Sequence, residues 1–207
     1  MVRAKSDKQR QALIEAAIRV VARAGHPGAT VGALAQEAGL AAGIVSFYFG
    51  GKDRLLTASL DELIRRYDSV LHRHLKAAGS KPQARLAAMI DAAFDPEALD
   101  PTQVAAWFAF WADEMSRAPR RDSATRKERK YTRMAIAECR RLTPQAAPKG
   151  GRRPAIRPEV AGTGLASLLD GFWWGLMIDP RNFDREQARV ACHAYLGAIY
   201  PSYRRKA

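Results

Sequence analysis

TVGALAQEAGLAAGIVSFYFGGKDRLL, residues 30–56, decides the fold. The stretch reads as a short helix, a glycine turn, a second short helix and the start of a third. Thr30 can cap the first helix by accepting a hydrogen bond from a free backbone N–H. Val31, Leu34, Ala35 and Ala38 fall at i, i+3, i+4 and i+7 and make one apolar face. Gly39 can take the left-handed conformation that closes a helix C-terminus, and Leu40 packs inward at the turn. Ala41, Ala42 and Gly43 open the next helix with almost no side chain, which suits a close approach to another body. Ile44, Val45 and Phe47 are expected to anchor this helix on its own core. Ser46 and Tyr48 are left with outward hydroxyls. Gly50 and Gly51 break the chain, and Lys52 starts the next helix. A lysine there works against the helix dipole, so its purpose lies outside helix stability.

Helix, turn and helix in this order form the device that places a helix in the major groove of DNA. Thr30, Tyr48 and Lys52 are then the expected phosphate contacts. Ala42, Gly43 and Ser46 are the expected points of approach to the bases. Thr30, Leu34-Ala35, Ala38-Gly39-Leu40, Phe47-Tyr48-Phe49, Lys52 and Leu55-Leu56 fall in one register. From about Gln11 to Leu56 that pattern resembles the N-terminal domain of TetR-family repressors. Many members of that family carry a polar residue near Ala41 and Ala42. Their absence here shifts base readout toward Ser46, backbone approach at Gly43 and apolar contact with thymine methyls.

A chain of 207 residues can hold one or two helical domains with a sizeable core. No apolar run approaches the length of a membrane span. MVRAKSDKQR at the N-terminus carries no apolar stretch of signal-peptide type. Cys139 and Cys192 have no CxxC spacing, which suits reduced thiols in a cytoplasmic protein. The net charge of +13 is unevenly placed: residues 117–153 hold thirteen Lys or Arg against three Asp or Glu, and residues 1–55 hold eight against four. Most of the excess therefore lies outside the expected DNA reader. A solvated basic helix face and loop explain it more simply than a second DNA contact.

Outward from the decisive stretch the chain reads as further helices. Ser6 and Gln9 fit an S-x-x-Q capping box ahead of a first helix that carries Leu13, Ala17, Val20, Val21 and Ala24 and stops at Gly25. A long helix is expected from Lys52 to about Ala77, burying Leu56, Leu60, Leu63, Ile64, Tyr67 and Leu71. Others follow around Leu86 to Phe94, from Pro101, and from about Arg120 to Leu142. Residues 143–158, TPQAAPKGGRRPAIRP, read as a loop or disordered insert. The last two helices are expected over Glu159–Met177 and Asp184–Tyr200. With no alternating strand pattern, the fold class is all-α. It comprises an N-terminal three-helix DNA-binding domain over residues 1–54 and a helical effector and dimerisation domain over residues 55–207.

All four tryptophans lie in two segments, WFAFWADEM around Trp107 and Trp111, and FWWGLM around Trp173 and Trp174. Aromatics at helical spacing usually form core or interface. WFAFWADEM together with GLASLLDGFWWGLMIDPRNFDREQARVACHAYL resembles the C-terminal domain of BetI-type repressors. That branch of the TetR family governs choline-to-glycine-betaine genes, with choline as effector. The resemblance implies a cation–π cage for a quaternary ammonium. Trp107, Phe110, Trp111 and Trp174 would supply faces, and Glu114 or Asp170 the charge. It also implies a homodimer paired through its last two helices on an inverted-repeat operator. A bound effector is then expected to shift the long helix after Lys52. A TetR-type regulator of another small ligand is the nearest alternative. A non-specific basic nucleic-acid binder is a remoter one.

No catalytic constellation is legible. His26, His72, His74 and His193 make no metal motif, and no GxSxG or phosphate-cradling loop after a strand occurs. The expectation is a regulator without metal or cofactor.

Overall fold

The computed structural model describes residues 2–116, 123–146 and 156–203. They form α1 (Val2–Gly28), α2 (Val31–Glu37), α3 (Gly43–Phe49), α4 (Lys52–Ala78), α5 (Pro82–Ala93), α6 (Pro101–Ser116), α7 (Ser123–Ala146), α8 (Pro158–Ile178) and α9 (Arg185–Ile199). No strand occurs among the described residues. Two compact units result. One holds residues 1–68 and 100–121, and the other residues 69–99 and 122–207. The boundary anticipated at 54/55 thus falls within the first turn of α4, and α6 groups with the N-terminal helices.

The first unit is built around the apolar faces of α1 to α4 and α6. Leu13, Ile14, Ala17, Val20 and Val21 from α1 meet Leu34 and Ala35 from α2 and Val45 and Phe49 from α3. Leu55, Leu56, Leu60, Leu63 and Ile64 join them from α4, and Ala106 and Phe110 from α6. Leu34 is fully buried, so truncation to alanine is worth about 2–5 kcal/mol. The chain breaks at Gly25 as its composition suggests (φ 65°), but helical turns resume to Gly28. The capping box does not form. Ser6 and Gln9 lie inside α1, which begins at Val2, so the backbone donors they were to satisfy are already bonded within the helix.

The turn between α2 and α3 follows the sequence closely. Thr30 caps α2, its Oγ1 accepting from Ala33 N at 3.2 Å. Gly39 adopts φ 66°, a conformation that would strain any side chain. Ala35 O then accepts from Leu40 N at 2.9 Å, closing the helix end. In α3 the expected anchor is corrected. Val45 and Phe49 are buried, Ile44 is partly so, and Phe47 is 76 % exposed. Val45 and Phe49 are four residues apart and share a face. Phe47, two from each, is turned about 200° away.

In the second unit α5, α7, α8 and α9 pack on one another. α7 and α8 cross closely. A Cβ on Gly162 would lie 2.6 Å from Ile136 N, so only glycine lets the backbones approach. Asp184 caps α9 by accepting from Gln187 N at 2.9 Å. Tyr203 folds back so that its hydroxyl meets His193 Nδ1 at 2.7 Å. Cys139 and Cys192 are buried, and burial pushes their thiols up to about 11 and about 12. α7 extends through Ala146, so the anticipated insert begins later than residue 143, and its residues 147–155 lie outside the described ones. No described helix is long and apolar enough to cross a membrane.

Candidate functional site

The reading surface is set by what α3 buries. With Val45 and Phe49 held in the core, Ala41, Ala42, Gly43, Ser46 and Phe47 are exposed. Nothing lies within 4 Å of a Cβ built on Gly43, so the helix start is open to a close approach. Only one side-chain hydrogen-bonding group, the Ser46 hydroxyl, stands among these five. Tyr48 is partly buried, and its hydroxyl donates to Gln9 Oε1 of α1 at 2.8 Å. That bond gives Gln9 a role its sequence context did not reveal. Arg10, one residue on, stands over the Phe49 ring at 5.0 Å. Lys52 is half-buried at the first residue of α4.

α1 and α2 are pinned by charge as well as by core. Arg19 Nε and Arg23 Nη2 donate to the Glu37 carboxylate at 2.6 and 3.0 Å. Their hydrogen bonds, Arg19 first, hold this carboxyl below the usual range. α4 is tied to α1 by Arg66, which bonds Glu15 and, at 2.9 Å, Glu62. These contacts fix the frame that carries α3.

The residues expected around an ammonium divide between the two units. In the first, Phe110 is buried among the core side chains of α1 to α4. Trp107 packs against the same core, half-buried, and Trp111 is half-buried on the next turn, its ring tilted 53° to Phe108. The side chain of Glu114 lies outside the described residues. Asp113 Oδ1 stands 3.4 Å from His26 Nδ1, joining α6 to the end of α1. In the second unit Trp173 is turned inward and donates from Nε1 to Ala93 O at 2.9 Å. Its neighbour Phe172 meets Phe94 edge-on. Trp174 is 49 % exposed, and Asp170 is exposed one helical turn before it.

The integration of α6 into the N-terminal core was missed from sequence. Its run of apolar residues reads alike on every face, so periodicity gave no direction. The outward turn of Phe47 was not legible either: Ile44–Phe47 and Val45–Phe49 are both helical spacings, and the fold buries the second pair.

Comparison with known proteins covers both ends of the chain, and the C-terminal match takes in α6. Residues 13–58 match the family of bacterial regulatory proteins of the tetR type, and residues 82–201 match the C-terminal domain of BetI-type transcriptional repressors. The chain is 31 % identical, over 94 % of its own length and 94 % of the relative's, to the HTH-type transcriptional regulator BetI of Paraburkholderia phytofirmans. A solved structure of a putative transcriptional regulator from Pseudomonas aeruginosa PAO1 superposes with TM-score 0.79 at 26 % identity, covering 95 % of this chain and 92 % of that one. A putative transcriptional regulator from Saccharomonospora viridis, solved in complex with choline, shares the fold at TM-score 0.72 and 18 % identity, covering 92 % of this chain and 96 % of that one. The chain therefore belongs to the TetR family of helix-turn-helix transcriptional regulators, in its BetI-type branch, and is a DNA-binding regulator rather than an enzyme.

Proposed function

We propose that the protein represses choline and glycine betaine genes as a homodimer on an inverted-repeat operator, and that choline releases it. The observation that carries this reading is the match of residues 82–201 to the BetI-type C-terminal domain, because ligand domains of regulators define what they sense. The choline complex of the S. viridis regulator lends it support.

Two copies would pair through α8 and α9. Val160, Thr163, Ser167, Gly171, Trp174 and Ile178 are exposed at spacings of three and four along α8, forming one outward stripe. Val190, Ala191, Ala194 and Ala198 are exposed on α9. Small and apolar side chains in such rows suit a four-helix interface with a two-fold axis. Trp174, one of the aromatic residues the resemblance implies for the cage, is assigned to this interface on its exposure. Asp170 lies on the same face. Trp107 and Trp111 remain as aromatic faces for the ammonium.

On DNA, Thr30 and Lys52 hold phosphates, while Ala42, Gly43 and Ser46 approach the bases; Tyr48, expected to hold a phosphate, instead gives its hydroxyl hydrogen to Gln9. α6 offers a direct route for release. Trp107 and Phe110 pack on the core that also seats α3, so a force on α6 reaches the reader without an intermediary. α4, expected to carry the shift, contributes its first part to that same unit. Choline can act only if it binds the arrangement that does not fit DNA more tightly.

Titration of choline into the protein on its operator duplex, at fixed salt, tests the effector. Weaker operator binding is expected. Unchanged affinity removes choline and leaves the regulator in place.

A further inference from the structure

The outward face of the recognition helix is poor in hydrogen-bonding groups. Of its outward residues Ala42, Gly43, Ser46 and Phe47, only Ser46 carries a side-chain donor or acceptor. Tyr48, which could have supplied another, is turned toward α1 and bonded to Gln9. Phe47 therefore presents the largest side chain on this face. Its ring is 76 % exposed, and it meets Tyr48 edge-on at 4.9 Å between centroids. That contact steadies the ring without covering it. Phe49, two residues on, fills the core position instead.

A lone exposed apolar side chain is ordinary on a protein surface. This one stands on the helix that enters the major groove, beside residues with far smaller side chains. In that groove the apolar feature is the C5-methyl group of thymine, and phenylalanine is among the side chains that meet it. We infer that Phe47 is a specificity-determining residue that reads a thymine methyl in each operator half-site. Base selection at that position then depends on removing a methyl and a ring from water rather than on a hydrogen-bond pattern. The proposal rests on the operator-binding reading above and names the residue that gives it sequence preference.

The test uses the full-length protein and a duplex selected by it from a randomised library. A matched duplex carries deoxyuridine in place of thymine, which removes the methyl and leaves both base-pairing edges unchanged. Wild-type protein is expected to bind the deoxyuridine duplex roughly three- to tenfold more weakly, the scale of one buried methyl group. Phe47→Ala and Phe47→Gln are expected to bind the two duplexes within a factor of about two. Phe47→Leu, still apolar, keeps part of the preference. The ring belongs to no core, so all three variants are expected to unfold at the wild-type temperature. Equal wild-type affinity for the two duplexes overturns the proposal. So does full discrimination in Phe47→Ala, which would place the methyl contact elsewhere on the helix. A wild-type protein that enriches no duplex over a scrambled one overturns the operator reading itself, a result distinct from the other two.

Discussion

Two surfaces of this chain face outward in different ways. The exposed side of α3 is short and nearly bare, with Ala42, Gly43, Ser46 and Phe47 over a core of Val45 and Phe49. The exposed side of α8 is long and apolar at intervals, from Val160 through Trp174 to Ile178. A seven-residue helix cannot hold itself in water, so α3 depends on the core of α1, α2 and α4 for its position. What it displays is then free to be chosen for a partner. α8 spans 21 residues and is fixed on one side by α7, so its other side can offer a continuous seam. The difference teaches that exposure has two meanings here: a small face designed for close approach, and a repeating face suited to a copy of itself.

That contrast can be broken at the α8 seam first. Trp174→Asp together with Ile178→Asp is expected to weaken self-association by at least about 3 kcal/mol, the scale of a buried interface anchor. Sedimentation is expected to show the wild type as the proposed dimer and the double variant as a monomer at the same concentration. Operator binding would fall with it while the helical content stays. A double variant that remains dimeric assigns the seam elsewhere.

The inner side of the same helix gives the next effect. Gly162→Ala forces a methyl group against the Ile136 backbone and is expected to cost about 1–3 kcal/mol in thermal or denaturant unfolding. Gly171→Ala, on the outer side with open space around it, is expected to leave the isolated subunit's stability unchanged or slightly raised. Equal losses at the two positions would erase the distinction between the sides of α8.

At the reading surface the effects are electrostatic and smaller. Lys52→Ala is expected to weaken binding by a similar factor on every DNA sequence and to lower the slope of log affinity against log salt by about 1. A change confined to one operator sequence would make Lys52 a base contact instead. Smallest of all is Glu37. Its folded-state pKa is depressed, so the stability it contributes is present above its unfolded pKa and lost as pH falls through the folded value. Glu37→Gln is expected to lower stability by less than about 1 kcal/mol at neutral pH, because the pair is solvent-screened. The difference from wild type should vanish in acid. A pH-independent difference would assign the effect to packing.

Much of the reader is legible in the sequence. The Thr30 cap, the Gly39 turn and the start of α4 at Lys52 follow from short-range rules, and all three occur as expected. Local rules misplaced the start of α1, because an S-x-x-Q sequence caps a helix only where no helical turn precedes it. The ligand-facing residues were harder. Trp107, Phe110 and Trp111 sit on a helix whose faces are all apolar, and Trp173 and Trp174 are adjacent on another. Spacing names such residues as aromatic helix positions and leaves their partners open.

The sequence by itself determined the helices, the turn that makes two of them a DNA reader, and the family to which they belong. Those properties depend on caps, glycines and periodicity, which act over a few residues. Only the tertiary structure decided which aromatic ring faces in. Phe49 and not Phe47 fills the α3 core, Trp173 and not Trp174 turns toward Ala93, and Phe110 joins the N-terminal core. Where both sides of a helix are apolar, burial is decided by the shape of the neighbouring helices, and that shape exists only once the chain has folded.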